Sequence, residues 1–433
     1  MYTKTSILRD PVRITGWVLA AGLALLLVGL VVLPEAVPST GPSLSEAQAG
    51  ATVSPASGTG PLQPIAVDNA PRVTELRVLP GPGSSLSVAF VPSTPLVAAS
   101  ATVSVPSSAS PLPTTGSAIS ASAITSTATV SETQNYALAV GREDGRITLW
   151  QLTANSLRLS GNGGQEGQRS KASTTDPNAG SGPGPTPMRS WQTNSNVLFM
   201  AVSPDGQLVA ARGDNNSVDL WRVADGVLAR SLSGHTDNVY NAAFSPDGSL
   251  LASVGADKTV RLWQTSNGNL LHTLKGHTDD VHSVAFSRDG TTVASGAHDN
   301  TVRIWRVADG ASLRTLDVGD SVNAVAFSPD GQTVALGGDN YTVQLWRVND
   351  ATRVRTLQGQ SGWVTSVAFS PAGDLLASGA HDNTVRLWRV SDGASLQTLK
   401  GHTDAVVGLT FSPDGRLFAT GSWDHSVRVW GVR

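Results

Sequence analysis

The side chains best suited to chemistry in this 433-residue chain are its eight histidines, and their spacing decides what chemistry is open to them. Three follow a glycine in a recurring Gly-His pair: His235, His277 and His402. Two more, His298 and His381, sit in identical Ala-His-Asp-Asn-Thr stretches. A transition-metal site needs three or four His, Cys or carboxylate ligands, commonly spaced on one element. No histidine pair here has that spacing, so no metal site and no cofactor are expected. Cysteine is absent, which removes thiolate nucleophiles, disulfides and cysteine metal ligands. The aspartates recur in turns rather than in an isolated acid–base pair. There is no phosphate-cradling glycine loop and no Gly-x-Ser-x-Gly elbow, so no catalytic residue is assigned. Lys+Arg 30 against Asp+Glu 33 gives a net charge of -3, which offers no electrostatic footprint for nucleic acid.

Those histidines and aspartates return at a fixed interval, and the interval describes the elements that must hold them. Trp221, Trp263, Trp305, Trp346, Trp388 and Trp430 are spaced 42, 42, 41, 42 and 42 residues apart. Each closes a β-rich run such as Thr259-Val-Arg-Leu-Trp263. Trp150 lies 71 residues before Trp221, one repeat plus 29 inserted residues. A second landmark, Phe90, Phe244, Phe286, Phe327, Phe369 and Phe411 with Val202 in the same column, precedes the tryptophan by 19 residues in six units. In the first unit the distance is 60, so 41 residues are inserted. Both excesses fall on Ser/Thr/Gly/Pro-rich stretches, about 97–134 and 154–188, read as loop insertions in blade 1 and between blades 1 and 2. Apolar alternation broken by Ser245-Pro246-Asp247-Gly248 and its equivalents marks antiparallel strands joined by tight turns. Four strands per unit, seven times over, predict an all-β, seven-bladed β-propeller over 71–433.

The Gly-His pairs at Gly234-His235, Gly276-His277 and Gly401-His402, closing at Trp263, Trp305 and Trp430, resemble WD repeats. The resemblance covers roughly residues 72–433, although the closing tryptophan is followed by Gln, Arg or Gly and never by Asp. It implies a hydrogen-bonded network inside a blade. The sets would be His235, Ser253, Asp257 and Trp263; His277, Ser295, Asp299 and Trp305; and His402, Thr420, Asp424 and Trp430. Blade 6 has Gln360 in the histidine place, blade 5 has Leu336 and Asn340 for Ser and Asp, and blades 1 and 2 lack Gly-His. The last unit has no room for a fourth strand, so Arg72–Leu79 is expected to complete blade 7. An arginine column, Arg261, Arg303, Arg386 and Arg428, is expected on a solvated face.

In a repeat protein, the residues that break the repeat without serving the core are candidates for binding. Before strand a the column reads Asn196, Asn238, Asp280, Ser321, Trp363 and Ala405. Before the turn Asp or Asn it reads Glu143, Asp214, Ala256, His298, Asp339, His381 and Trp423. Trp363 and Trp423 stand out among small and polar residues, with His298 and His381 beside Trp423 in type and Tyr240 and His282 one residue inside strand a. These six are the candidate partner-binding residues, on one rim of a monomeric propeller. WD-repeat relatives typically act as platforms for protein assembly, which implies a non-catalytic scaffold. The competing reading is a propeller hydrolase with a metal in its central channel.

From Ile14 to Leu33 runs a stretch of 20 residues without a charge, preceded by Lys4, Arg9 and Arg13. A helix of that length spans about 30 Å, the thickness of a bilayer core. The basic flank predicts a single transmembrane helix over 14–33 with residues 1–13 cytoplasmic and the propeller exported. A signal peptide cleaved near Ala47-Gln48-Ala49, a buried core helix, and a cytosol-facing propeller of reversed topology are the alternatives. Residues 34–70, rich in Pro, Ser, Ala and Gly, read as a disordered tether.

Overall fold

The computed structural model describes residues 62–81, 83–92, 135–153, 156–157 and 185–432. The expected transmembrane helix at 14–33 lies outside them, as does the tether up to residue 61. Among the described residues no helix is long and apolar enough to cross a membrane.

The described chain forms 28 strands, from β1 (Thr74–Pro80) to β28 (Ser426–Gly431), in seven four-stranded antiparallel sheets. Each sheet is one blade, with its strands a to d in chain order. Strand a of every blade lines the central channel, and strand d is the outer edge. The phase is offset by one strand. Blade 1 is β2 (Ser85–Val91), β3 (Asn135–Arg142), β4 (Arg146–Thr153) and β5 (Thr186–Gln192). Blade 7 consists of β26 (Val406–Phe411), β27 (Leu417–Ser422), β28 and, as its outer strand, β1. The β1–β28 ladder runs from Thr74 opposite Gly431 to Pro80 opposite Ser426, as expected for strand 72–79. Closing the ring in this way leaves no blade short of a strand.

The core lies between blades. Seven buried clusters each join the face of one blade to the face of the next. Trp305 of blade 4 packs on Ala252, Val260 and Leu262 of blade 3, and Trp388 of blade 6 packs on Leu345 and Leu357 of blade 5. Period-2 alternation serves this arrangement, because both faces of a blade meet apolar neighbours and only the outer strand stays wet. The outer strand Leu228–Leu232 is mostly exposed, whereas Leu250–Gly255, one position in from the channel, is almost wholly buried.

Three expectations are corrected, two of them boundaries. The tether does not extend to residue 70: Ile65, Ala70 and Val73 are buried with Phe418, Trp430 and Val432, and Gln63 bridges to Val432. This stretch carries Ile65 and Val67, enough apolar surface to dock the chain ahead of β1. The second insertion does not lie between blades, because Thr186–Gln192 pairs with Arg146–Thr153 inside blade 1. It joins strands c and d there, begins after the buried Leu157, and ends before Thr186.

The arginine column is the third correction. Arg261, Arg303, Arg386 and Arg428 are half-buried rather than solvated. The Arg303 guanidinium lies 5.8 Å from the centre of the Trp305 ring, and that of Arg386 lies 6.0 Å from Trp388. The apolar stems and flat heads cover the indoles. This also explains the glycine before each histidine: a Cβ on Gly276 would come within 2.9 Å of Arg303 Nη1 and 3.3 Å of the Trp305 ring.

Candidate functional site

Each complete blade network is built outward from a tryptophan. Trp305 Nε1 donates to Ser295 Oγ at 2.8 Å, Ser295 Oγ meets His277 Nε2 at 2.7 Å, and His277 Nδ1 meets Asp299 Oδ2 at 2.9 Å. An indole N–H only donates and a carboxylate only accepts. The chain of bonds therefore has one direction: the serine hydroxyl donates to His277 Nε2, and Nδ1–H donates to Asp299. The sets at His235 and His402 repeat this geometry within about 0.1 Å. Burial pushes the His277 imidazole below its ordinary pKa, against the pull of Asp299, so the ring is held neutral. Burial alone would raise the Asp257 carboxyl, but hydrogen bonds from His235 and Thr259 outweigh it and hold the group well below the usual range. These histidines and aspartates are fully used inside the blades.

The incomplete blades find other solutions. In blade 6 Gln360 takes the histidine place and accepts from Ser378 Oγ at 3.2 Å, while Trp388 Nε1 donates to the same hydroxyl at 2.8 Å. In blade 5 Trp346 Nε1 donates to Gln344 Oε1 at 2.9 Å. A buried N–H left unpaired costs about 1–3 kcal/mol, so this replacement matters. In blades 1 and 2 the indole N–H groups of Trp150 and Trp221 have no partner among the described residues.

The candidate partner-binding residues lie on the rim formed by the b–c turns and the d–a crossovers, here called the upper rim. Backbone bonds tie the two columns together there: His381 N to Trp363 O at 2.9 Å, Trp423 N to Ala405 O at 3.1 Å, and His298 N to Asp280 O at 2.9 Å. The six residues form two groups. In the first, spanning blades 6 and 7, the His381 ring sits between two indoles, 5.1 Å from Trp363 and 5.0 Å from Trp423. Both tryptophans remain open to solvent, 41% and 39% exposed, although large apolar side chains of this fold are otherwise mostly buried. Burial lowers the His381 pKa, opposed by Asp404 and Asp339.

The second group spans blades 3 and 4. Tyr240 stacks on His282 at 4.5 Å, and His282 stacks on His298 at 3.8 Å. Tyr240 Oη donates to Asp280 Oδ2 at 3.2 Å, and burial together with that aspartate raises its pKa to about 12. Burial, reinforced by His298, lowers the His282 pKa to about 3. His298 Nε2 meets Asn323 Oδ1 at 3.4 Å, and Asn323 Nδ2 donates to Asp339 Oδ1 at 2.8 Å. Asn323 and Asp339 thus link the two groups across blade 5. Neither was singled out from sequence, although Asn323 shares a column with Tyr240 and His282.

The channel beneath is a space of about 300 Å³ lined by strand-a residues, among them Tyr240, Asn241, His282, Asn323 and Thr365. No carboxylate and no lysine or arginine lines it among the described residues. Nor do those residues contain a group of three or more His, Cys, Asp or Glu able to hold a metal.

A search of curated proteins found no match to the chain. A family model described as WD domain, G-beta repeat, matches residues 226–264, 268–306, 310–347, 351–389 and 393–431. Each match runs from the outer strand of one blade through strand c of the next, the same one-strand offset seen at ring closure. The chain therefore carries five WD40 repeats within a seven-bladed β-propeller.

Proposed function

We propose that this protein is a non-catalytic scaffold for protein–protein interaction, held to a membrane through residues 14–33, with its partner seat on the upper rim. WD40 propellers commonly mediate protein–protein interactions, and the rigid ring positions rim loops for that purpose. The observation that carries the reading is the pair of exposed tryptophans gathered on one histidine. Nothing in the ring closure or the inter-blade core requires Trp363 or Trp423 to be indoles, and aromatic side chains dominate binding hot spots. His298, His282 and Tyr240 form the second element of the seat. The test is a Trp363→Ala plus Trp423→Ala double variant purified from detergent-solubilised membranes. Its melting temperature should match the wild type, and the proteins that co-purify with the wild type should be lost. Unchanged co-purification would falsify this seat.

A further inference from the structure

We propose that Trp363, His381 and Trp423, flanked by Asp339 and Asp404, form a seat for an arginine side chain of a partner protein. This rests on the scaffold reading above and specifies the chemistry the upper rim recognises. Three observations carry it. The first is the aromatic geometry: two indoles held about 5 Å from one imidazole, both partly open, present π-faces to anything that docks. Such faces attract a cation, and tryptophan does so best.

The second is charge. The upper-rim segments of blades 5 to 7, residues 318–321, 339–342, 358–363, 381–384, 400–405 and 423–425, carry five aspartates, Asp320, Asp339, Asp382, Asp404 and Asp424, against one lysine, Lys400, and no arginine. Asp382 and Asp424 are spent on backbone and turn hydrogen bonds within their blades. Asp339 accepts from Asn323, and Asp404 accepts from the Ala405 amide. Neither pairs with an arginine or lysine among the described residues. The opposite rim differs. There Asp225, Asp309, Asp350 and Asp392 are each matched by an arginine three residues earlier, at 2.6–2.9 Å. The protein pairs the aspartates of one rim with its own arginines and leaves Asp339 and Asp404 of the other without such a partner among the described residues.

The third is the preference for guanidinium over ammonium. The same chain already lays Arg303 on Trp305 and Arg386 on Trp388. A guanidinium is flat, weakly hydrated and able to stack while its N–H fork reaches carboxylates. The seat is shallow, as the exposure of both tryptophans shows, so it suits the end of a side chain whose backbone adds further contacts.

The experiment uses the full-length protein in detergent and fluorescently labelled short peptide pools, degenerate except for a fixed central residue: arginine, lysine, citrulline or glutamate. Citrulline keeps the shape of arginine without its charge. The arginine pool should bind about ten-fold tighter than the citrulline and glutamate pools, and detectably tighter than the lysine pool. Its affinity should fall as salt is raised. Asp339→Asn plus Asp404→Asn should reduce arginine-pool binding by about five-fold and leave the citrulline pool unchanged. Trp363→Ala plus Trp423→Ala should abolish the preference. Equal binding of arginine and citrulline pools, equal binding of arginine and lysine pools, no binding of any pool, a preference undiminished in the aspartate variant, or a preference that survives the tryptophan variant would overturn the proposal. The wild-type comparison needs no variant to fold. Should the tryptophan variant lose its co-purifying partner while the pools bind alike, this chemistry fails and the scaffold reading stands. Should co-purification also be unaffected, both fail.

Discussion

At the scale of the residue, the blades separate what is structural from what is free to bind. A tryptophan that can only donate fixes the direction of every bond behind it, so His235, His277 and His402 have both ring nitrogens occupied. The complete sets were legible in the sequence because the four residue types recur at constant spacing. The repairs were not, because Gln344 reaches Trp346 from the arginine column rather than from the serine column. Its break with Arg303 and Arg386 was a signal that could have been read. His282 is different, being stacked between Tyr240 and His298 with a pKa near 3. A folded-state pKa depressed below the unfolded value means that only the unfolded chain binds the proton between about pH 6.5 and about pH 3. The stabilisation from the neutral ring is therefore complete above pH 6.5 and is lost as pH falls toward 3. His282→Phe, which keeps a ring in the stack, should lower the melting temperature less steeply than the wild type between pH 6.5 and 4. Parallel melting curves across that range would show that His282 does not titrate as the burial implies.

At the scale of the element, strands are legible where turn chemistry and alternation coincide and less so where the chain departs from the repeat. β1 was found because it resembles the outer strands of other units. The edges of the insertions were misplaced because low-complexity composition does not stop where packing does. Leu157 is wholly buried, and Ser156 bonds back to Thr153, although both fall in a Ser/Thr/Gly-rich stretch. Ile65 docks ahead of β1 for the same reason: one apolar side chain and a hydrogen bond to Gly415 O are enough to order a segment whose composition suggests none. The closing strand has a direct test. Deleting residues 72–79 removes buried Leu76 and Leu79 together with a full ladder, a loss on the scale of several kcal/mol. Deleting 100–130 should leave the melting temperature nearly unchanged, since no described blade residue belongs to it. Equal destabilisation by the two deletions would refute the closure as the stabilising element.

At the scale of the whole molecule, the two rims are built differently. The SPDG-type a–b turns and the paired c–d turns form the lower rim, and the chain enters β1 there. The inserted tracts at 93–134 and 158–184 also leave and rejoin on that side, as strand direction requires. The upper rim keeps short loops throughout, so its aromatic groups are not crowded by these tracts at their points of attachment. The anchor is tested at this scale: full-length protein should sediment with membranes and resist alkaline extraction, and release by carbonate would remove residues 14–33 from the membrane. Ring closure sets an order in time as well as in space. Of the described strands β1 is the first synthesised, yet its partner β28 is the last of them. Until β28 emerges, β1 has no ladder to join, and the blade 7 face that covers Val88 and Phe90 of blade 1 does not yet exist. Contacts so distant in sequence form late and slowly. The nascent chain must therefore carry an open ring, with two unsealed ends, through most of its synthesis, and any pause before Trp430 extends the interval in which those ends can pair with something else.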